Sequence, residues 1–162
     1  MIIRHPRARA IASGAPALID DYDTSSDDDA PLTATMGFEL AAASDSVFKA
    51  VIKIKNSSTA GNVTLRIETD SGTEPSGTLA DANATKLVYV DEANFAWIEF
   101  EFPAQFSLAG STQYWLVAST AGAHRWDGHR NAISPNDLGA EWGGSWQFYG
   151  SGFFFRVYDM SG

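Results

Sequence analysis

From Met36 onward, apolar and polar residues alternate along the chain with a period of two. In VFKAVIKIK, Phe48, Ala50, Ile52 and Ile54 fall on one side and Lys49, Lys53 and Lys55 on the other. NVTLRIE repeats the pattern, with Val63, Leu65 and Ile67 against Thr64, Arg66 and Glu68. AWIEFEF sets Ala96, Ile98, Phe100 and Phe102 against Glu99 and Glu101. Successive side chains of a strand point to opposite faces, so each run predicts a strand with one buried face. TQYWLVAS and GFFFRVY add two strands rich in β-formers. NSSTAGN, DSGTEPSGT and PAQFSLAGS supply the turn chemistry between them. About eight strands over roughly residues 35–158 make two packed sheets, with no helical stripe and no internal repeat.

The first 33 residues differ. Arg4, Arg7 and Arg9 come first, and DDYDTSSDDD follows with Asp20, Asp21, Asp23, Asp27, Asp28 and Asp29. A basic end joined to an acidic run has little to bury and reads as an anchoring arm and linker. The chain therefore divides into an arm, residues 1–33, and a β-sandwich domain, residues 34–162. An EF-hand loop starting at Asp21 fails, because Ser26 and Leu32 stand where glycine and glutamate are required.

Net charge is −9, which argues against broad binding to nucleic acid or to anionic membranes. No cysteine is present, so thiolate chemistry and disulfides are excluded. No apolar run of membrane-spanning length exists, and the start lacks the continuous apolar stretch of a signal peptide. The expectation is synthesis in the cytoplasm without membrane insertion.

The order GFEL, VFKAVIKIKN, NVTLRIETDSGTEPSGTL, WIEFEF, FSLAGSTQYWLVAS and SWQFYGSGFFFRVY resembles the choice-of-anchor R type of β-sandwich module. The resemblance covers about residues 34–159. Its most specific pieces are Pro75 to Leu79, in a turn, and Leu108 to Gly110 ahead of Tyr114 to Val117. Such modules occur in bacterial surface proteins and in phage or gene-transfer-agent particle proteins. The resemblance implies a jelly-roll-like antiparallel sandwich and carries no catalytic motif. Without a leader or a sorting tail, the chain fits a virion component, such as a head spike, head fibre or tail appendage. Its expected partners are capsid or appendage subunits, with homo-oligomers formed by an exchanged arm.

Candidate chemistry gathers in HRWDGHRNAISPNDLGAEWGGSWQFYG, residues 124–150, read as one long loop over the open end of the core. A pyranose lays its CH face on an indole while its hydroxyls take polar partners. Trp126, Asp127, His129, Arg130, Asn131 and Trp142 supply that mixture and form the candidate ligand site for a host surface polysaccharide. Trp126 stays open between fold packing and an exposed contact, whereas Trp115 and Trp146 are assigned to packing. Trp97 is a separate candidate, since it shares a strand face with Glu99 and Glu101. His124 and His129 read as solvated loop residues; with Asp127 they lack any established metal spacing. Glu99 and Glu101 read as the wet side of a strand rather than a glycosidase pair. The expectation is a non-enzymatic protein without cofactor or metal. The alternative is a stand-alone carbohydrate-binding module beside an enzyme. A third reading, a metal-assisted hydrolase, would need His124 or His129.

Overall fold

The computed structural model describes residues 17–22, 28–31, 33–39, 45–129, 139–142, 145–148 and 152–159. Among them every regular element is a strand, and the protein is an all-β antiparallel sandwich. In chain order the strands are β1 (Ala17–Tyr22), β2 (Asp28–Pro31), β3 (Thr33–Glu39), β4 (Asp45–Asn56), β5 (Gly61–Asp70), β6 (Pro75–Leu79) and β7 (Thr85–Val90). They continue with β8 (Ala96–Leu108), β9 (Gln113–Thr120), β10 (His124–His129), β11 (Gly139–Trp142), β12 (Trp146–Phe148), β13 (Gly152–Phe153) and β14 (Phe155–Asp159). No helix among the described residues is long and apolar enough to cross a membrane.

Two seven-stranded sheets result. Sheet B runs β12-β11-β3-β9-β5, with β6 and β7 following one another along the far side of β5. Sheet A is built around β4, which pairs with β8 on one side. On its other side β4 meets β14 over Val47 to Ile52 and β10 over Ile54 to Asn56, so sheet A forks. β1 lies beyond β14 and β2 beyond β10. The chain changes sheet between β2 and β3, β3 and β4, β4 and β5, β7 and β8, β8 and β9, β9 and β10, β10 and β11, and β12 and β13. Such repeated crossing is the jelly-roll manner of closing a sandwich.

The period-two pattern is realised strand by strand. Ala50, Ile52 and Ile54 of β4, Val63, Leu65 and Ile67 of β5, and Phe100 and Phe102 of β8 are all buried. They share the core with Leu116, Ala118, Phe155 and Val157. Phe48 departs from its expected place: it is only half-buried, and Val47 takes the core position. The reason is a register shift between Val47 and Lys49, which turns the preceding side chains over. On the other strand of that pair, β8 carries the extra residues around Pro103, and Phe102 and Phe106 pack edge to face at 5.2 Å.

The two turn motifs behave differently. Gly77 has φ 76°, a left-handed value that suits glycine, and its N–H donates to Glu68 Oε2 at 2.9 Å. Glu68 is buried, and its Oε1 stands 2.9 Å from Arg66 Nη2 as an ion pair without hydrogen-bond angles. The Gly110 segment is not the approach to a hairpin. It carries the chain from β8 in sheet A to β9 in sheet B, with Ser111 at φ 51° and Ala109 N–H donating to Tyr114 Oη at 3.0 Å.

The sandwich also begins earlier than residue 34. β1 pairs with β14 from Ala17 to Tyr22, and β2 pairs with β10 from Asp28 to Pro31. Much of the acidic linker therefore supplies strands of sheet A. Arg4, Arg7 and Arg9 lie outside the described residues.

Candidate functional site

The segment 124–150 is not one loop. It contributes β10 to sheet A and β11 and β12 to sheet B. Along β10, His124 and Trp126 point into the sandwich, and Arg125 and Asp127 take the other face. Trp126 is fully buried and stacks on Phe153 with centroids 5.4 Å apart. Its Nε1–H donates to Phe154 O at 2.9 Å. Of the two readings left open for Trp126, fold packing is the one realised, and its place among the candidate ligand residues falls: the indole fills the fork of sheet A, where the chain passes from β13 to β14.

Asp127 is buried too, on the opposite face of the same strand. Lys53 Nζ lies 2.9 Å from its Oδ2 and 5.1 Å from the Phe154 ring centroid. Phe154 N–H donates to Asp127 O at 2.9 Å, and Phe154 O also accepts from Lys53 N–H at 3.3 Å. Lys53, Trp126, Asp127 and Phe154 thus tie β4 and β10 to the β13–β14 link at the fork. Asp127 is a structural ion-pair partner here, not a loop group awaiting a ligand.

His124 is likewise not a solvated loop histidine. It is buried, with Nδ1 3.0 Å from Thr120 Oγ1 and Nε2 3.2 Å from Val90 O. Gly122 beside it leaves little room, since a Cβ there would stand 3.0 Å from His124 Cε1. His124 and Asp127 project to opposite faces of β10, so they do not converge on a metal. His129 pairs through its backbone with Gly152 on β13, and Trp142 with Trp146 across β11 and β12. Arg130 and Asn131 lie outside the described residues.

Trp115 is buried, as its strand position implied, but on the face of sheet B turned away from the core. Its Nε1–H donates to Asp70 Oδ1 at 2.8 Å, and the same carboxylate accepts from Gly72 and Thr73 N–H in the turn before β6.

What the fold does assemble is the outer face of sheet A. The registers of β8, β4 and β14 lay out three rows across it. Trp97 stands opposite Lys53; Glu99, Val51 and Arg156 form the next row; Glu101, Lys49 and Tyr158 form the third. Arg156 on β14 reaches Trp97 on β8 by crossing β4, and its guanidinium carbon lies 4.1 Å from the indole centroid. Val51, which faces outward beneath this crossing, is buried. Lys49 Nζ sits 4.8 Å from the Tyr158 ring and 2.9 Å from Glu99 Oε1. Lys55 Nζ lies 4.1 Å from the Phe95 ring at the end of the same face.

The Arg156–Trp97, Lys49–Tyr158 and Lys55–Phe95 contacts each couple a cation to an aromatic ring, which orients both side chains. Trp97 and Tyr158 remain partly exposed, and Glu99 and Glu101 are exposed. The arrangement offers partly exposed aromatic rings, each under a cation, interleaved with hydrogen-bonding charges, a combination of apolar and polar groups that a ligand could contact. Sequence reasoning singled out Trp97, Glu99 and Glu101 but missed Lys49, Arg156 and Tyr158. Their alternation with buried Ala50, Phe155 and Val157 marked them as outward; the adjacency of β8, β4 and β14 was the missing knowledge. Comparisons with known protein families, with curated protein sequences and with solved structures give no significant match to this chain.

Proposed function

We propose that the protein is a non-catalytic structural and adhesive component of a phage-like particle, which offers the outer face of sheet A to a host surface polysaccharide. The observation that carries the adhesive part is the register that sets Trp97, Glu99, Lys49, Arg156 and Tyr158 together on one solvent-facing sheet. On this face the charges of Lys49 and Arg156 are matched by those of Glu99 and Glu101, so these rows are close to charge balance. With a net charge of −9, the chain repels acidic polymers at long range, and an uncharged polysaccharide is the expected ligand. The particle part rests on the resemblance to sandwich modules of phage-like particles. Docking would fall to residues 1–16, which carry Arg4, Arg7 and Arg9 and no acidic residue.

The test has two arms. Binding is measured against a panel of immobilised neutral and acidic bacterial polysaccharides, with Trp97→Ala and Tyr158→Ala as variants. At least tenfold weaker binding by the folded variants is expected, a loss of about 1.4 kcal/mol. Equal binding by wild type and both variants removes the face from consideration. For docking, full-length protein and a version beginning at Ala17 are added to particles lacking the protein. Only the full-length chain is expected to co-sediment. The truncation belongs at Ala17, since beginning at Pro31 would remove β1 and most of β2.

A further inference from the structure

Exposed apolar side chains scattered singly are ordinary, whereas adjacent ones that form a patch can mark a contact. Among the described residues the large exposed ones are Leu18, Leu87 and Tyr89, at 50%, 56% and 64% exposure. Leu87 and Tyr89 sit together on β7, which hydrogen-bonds to β5 on one side and to no strand among the described residues on the other. The β5–β7 register is regular over six residue pairs, from Gly61 opposite Val90 to Arg66 opposite Thr85. No proline or bulge interrupts β7 to blunt this open edge.

We infer that β7 is a self-pairing edge, through which two copies of this chain join in an antiparallel, two-fold contact. The occupant follows from register and charge. A two-fold axis through Val88 sets Val88 against itself and Lys86 against Val90. On the outer face it sets Leu87 against Tyr89 of the second copy, twice. Residues directly opposite in such a ladder have Cβ atoms about 4.5–5.5 Å apart, so both exposed side chains would be covered. An axis through Leu87 would instead leave Tyr89 against Thr85.

Two copies of a chain with net charge −9 repel across most approaches. The stretch from Ala82 to Val90 contains no acidic residue, and the outward neighbours of Leu87 and Tyr89 on β5 are the uncharged Thr64 and Asn62. Lys86, the one charge on the strand, does not meet its own copy in this register. A single six-residue edge falls short of the roughly 1,000 Å² that stable interfaces bury. The pair is therefore weak alone and becomes populated where copies are held close together.

Sedimentation of the full-length chain over a wide concentration range tests the inference, with Leu87→Lys and Tyr89→Lys as variants whose exposed positions leave the fold alone. A reversible dimer that each variant weakens at least tenfold is expected. Because the chain contains no cysteine, Val88→Cys introduces a unique thiol. Under mild oxidation it should give a disulfide-linked dimer, while Asn62→Cys, on β5 one strand in from the edge, should not. A monomer at every concentration overturns the inference. So does a dimer indifferent to both lysine variants, or one that disappears only when residues 1–16 are removed.

Discussion

Two parts of sheet A use the same three ingredients to opposite ends. At the fork, Trp126, Lys53 and Asp127 are an indole, a cation and a carboxylate; on the outer face, Trp97, Arg156 and Glu99 are the same chemistry. Trp126 is inward on β10 and closed over by Phe153 and Phe154, while Trp97 is outward on β8 and keeps part of its ring at the surface. The carboxylates diverge as well: Asp127 is almost wholly buried against Lys53, and Glu99 is 64% exposed beside Lys49. Composition therefore does not distinguish a buried structural cluster from an exposed face. Strand parity and the neighbouring strand do.

The sharpest way to break that comparison is Trp126→Ala. Removing a fully buried indole costs about 3–5 kcal/mol, and it also strips Phe154 O of one of its two donors. Urea titration should show a large fall in midpoint or an unfolded chain. A loss under 1 kcal/mol would mean that the fork is not closed by this residue.

Lys53→Met keeps most of the side-chain volume over Phe154 but leaves Asp127 buried without its ammonium. Losing one partner of a buried pair costs about 3–5 kcal/mol. Lys53 is a quarter exposed and its loss admits water, so a smaller penalty of about 2–3 kcal/mol is expected. The double variant Lys53→Met, Asp127→Asn should recover part of it, because the uncompensated charge is gone. If the double variant is instead less stable than Lys53→Met alone, the carboxylate serves the fork through its other contacts.

The contrast also explains what was legible beforehand. Val63, Leu65 and Ile67, or Ile52 and Ile54, announce their burial by alternation alone, because their partners are any apolar residues across the sandwich. HRWDGH has the same alternation, with His124 and Trp126 inward, but its inward set includes an imidazole and its outward set a carboxylate. Burying those is tolerable only because Thr120 and Val90 meet the histidine and Lys53 meets Asp127, on strands whose adjacency sequence spacing does not reveal. The acidic ALIDDY run likewise reads as linker until β14, at the other end of the chain, pairs with it. On the outer face, Trp97 was visible as a candidate, whereas its Arg156 cover comes from a strand two places away and was not.

The smallest expected effect tests the exposed side of the comparison. Lys49–Glu99 has the same 2.9 Å separation as Lys53–Asp127, yet Glu99 is largely in water. Glu99→Gln should therefore change stability by no more than about 0–1 kcal/mol, and less at high salt. Lys49 keeps its position over Tyr158 in this variant, so the ring stays oriented. Urea titrations at low and high salt measure the effect. If Glu99→Gln costs as much as Lys53→Met, the outer face is a second structural cluster, and distance rather than burial would govern these pairs. A near-neutral result with altered polysaccharide binding would instead assign Glu99 to the contact surface.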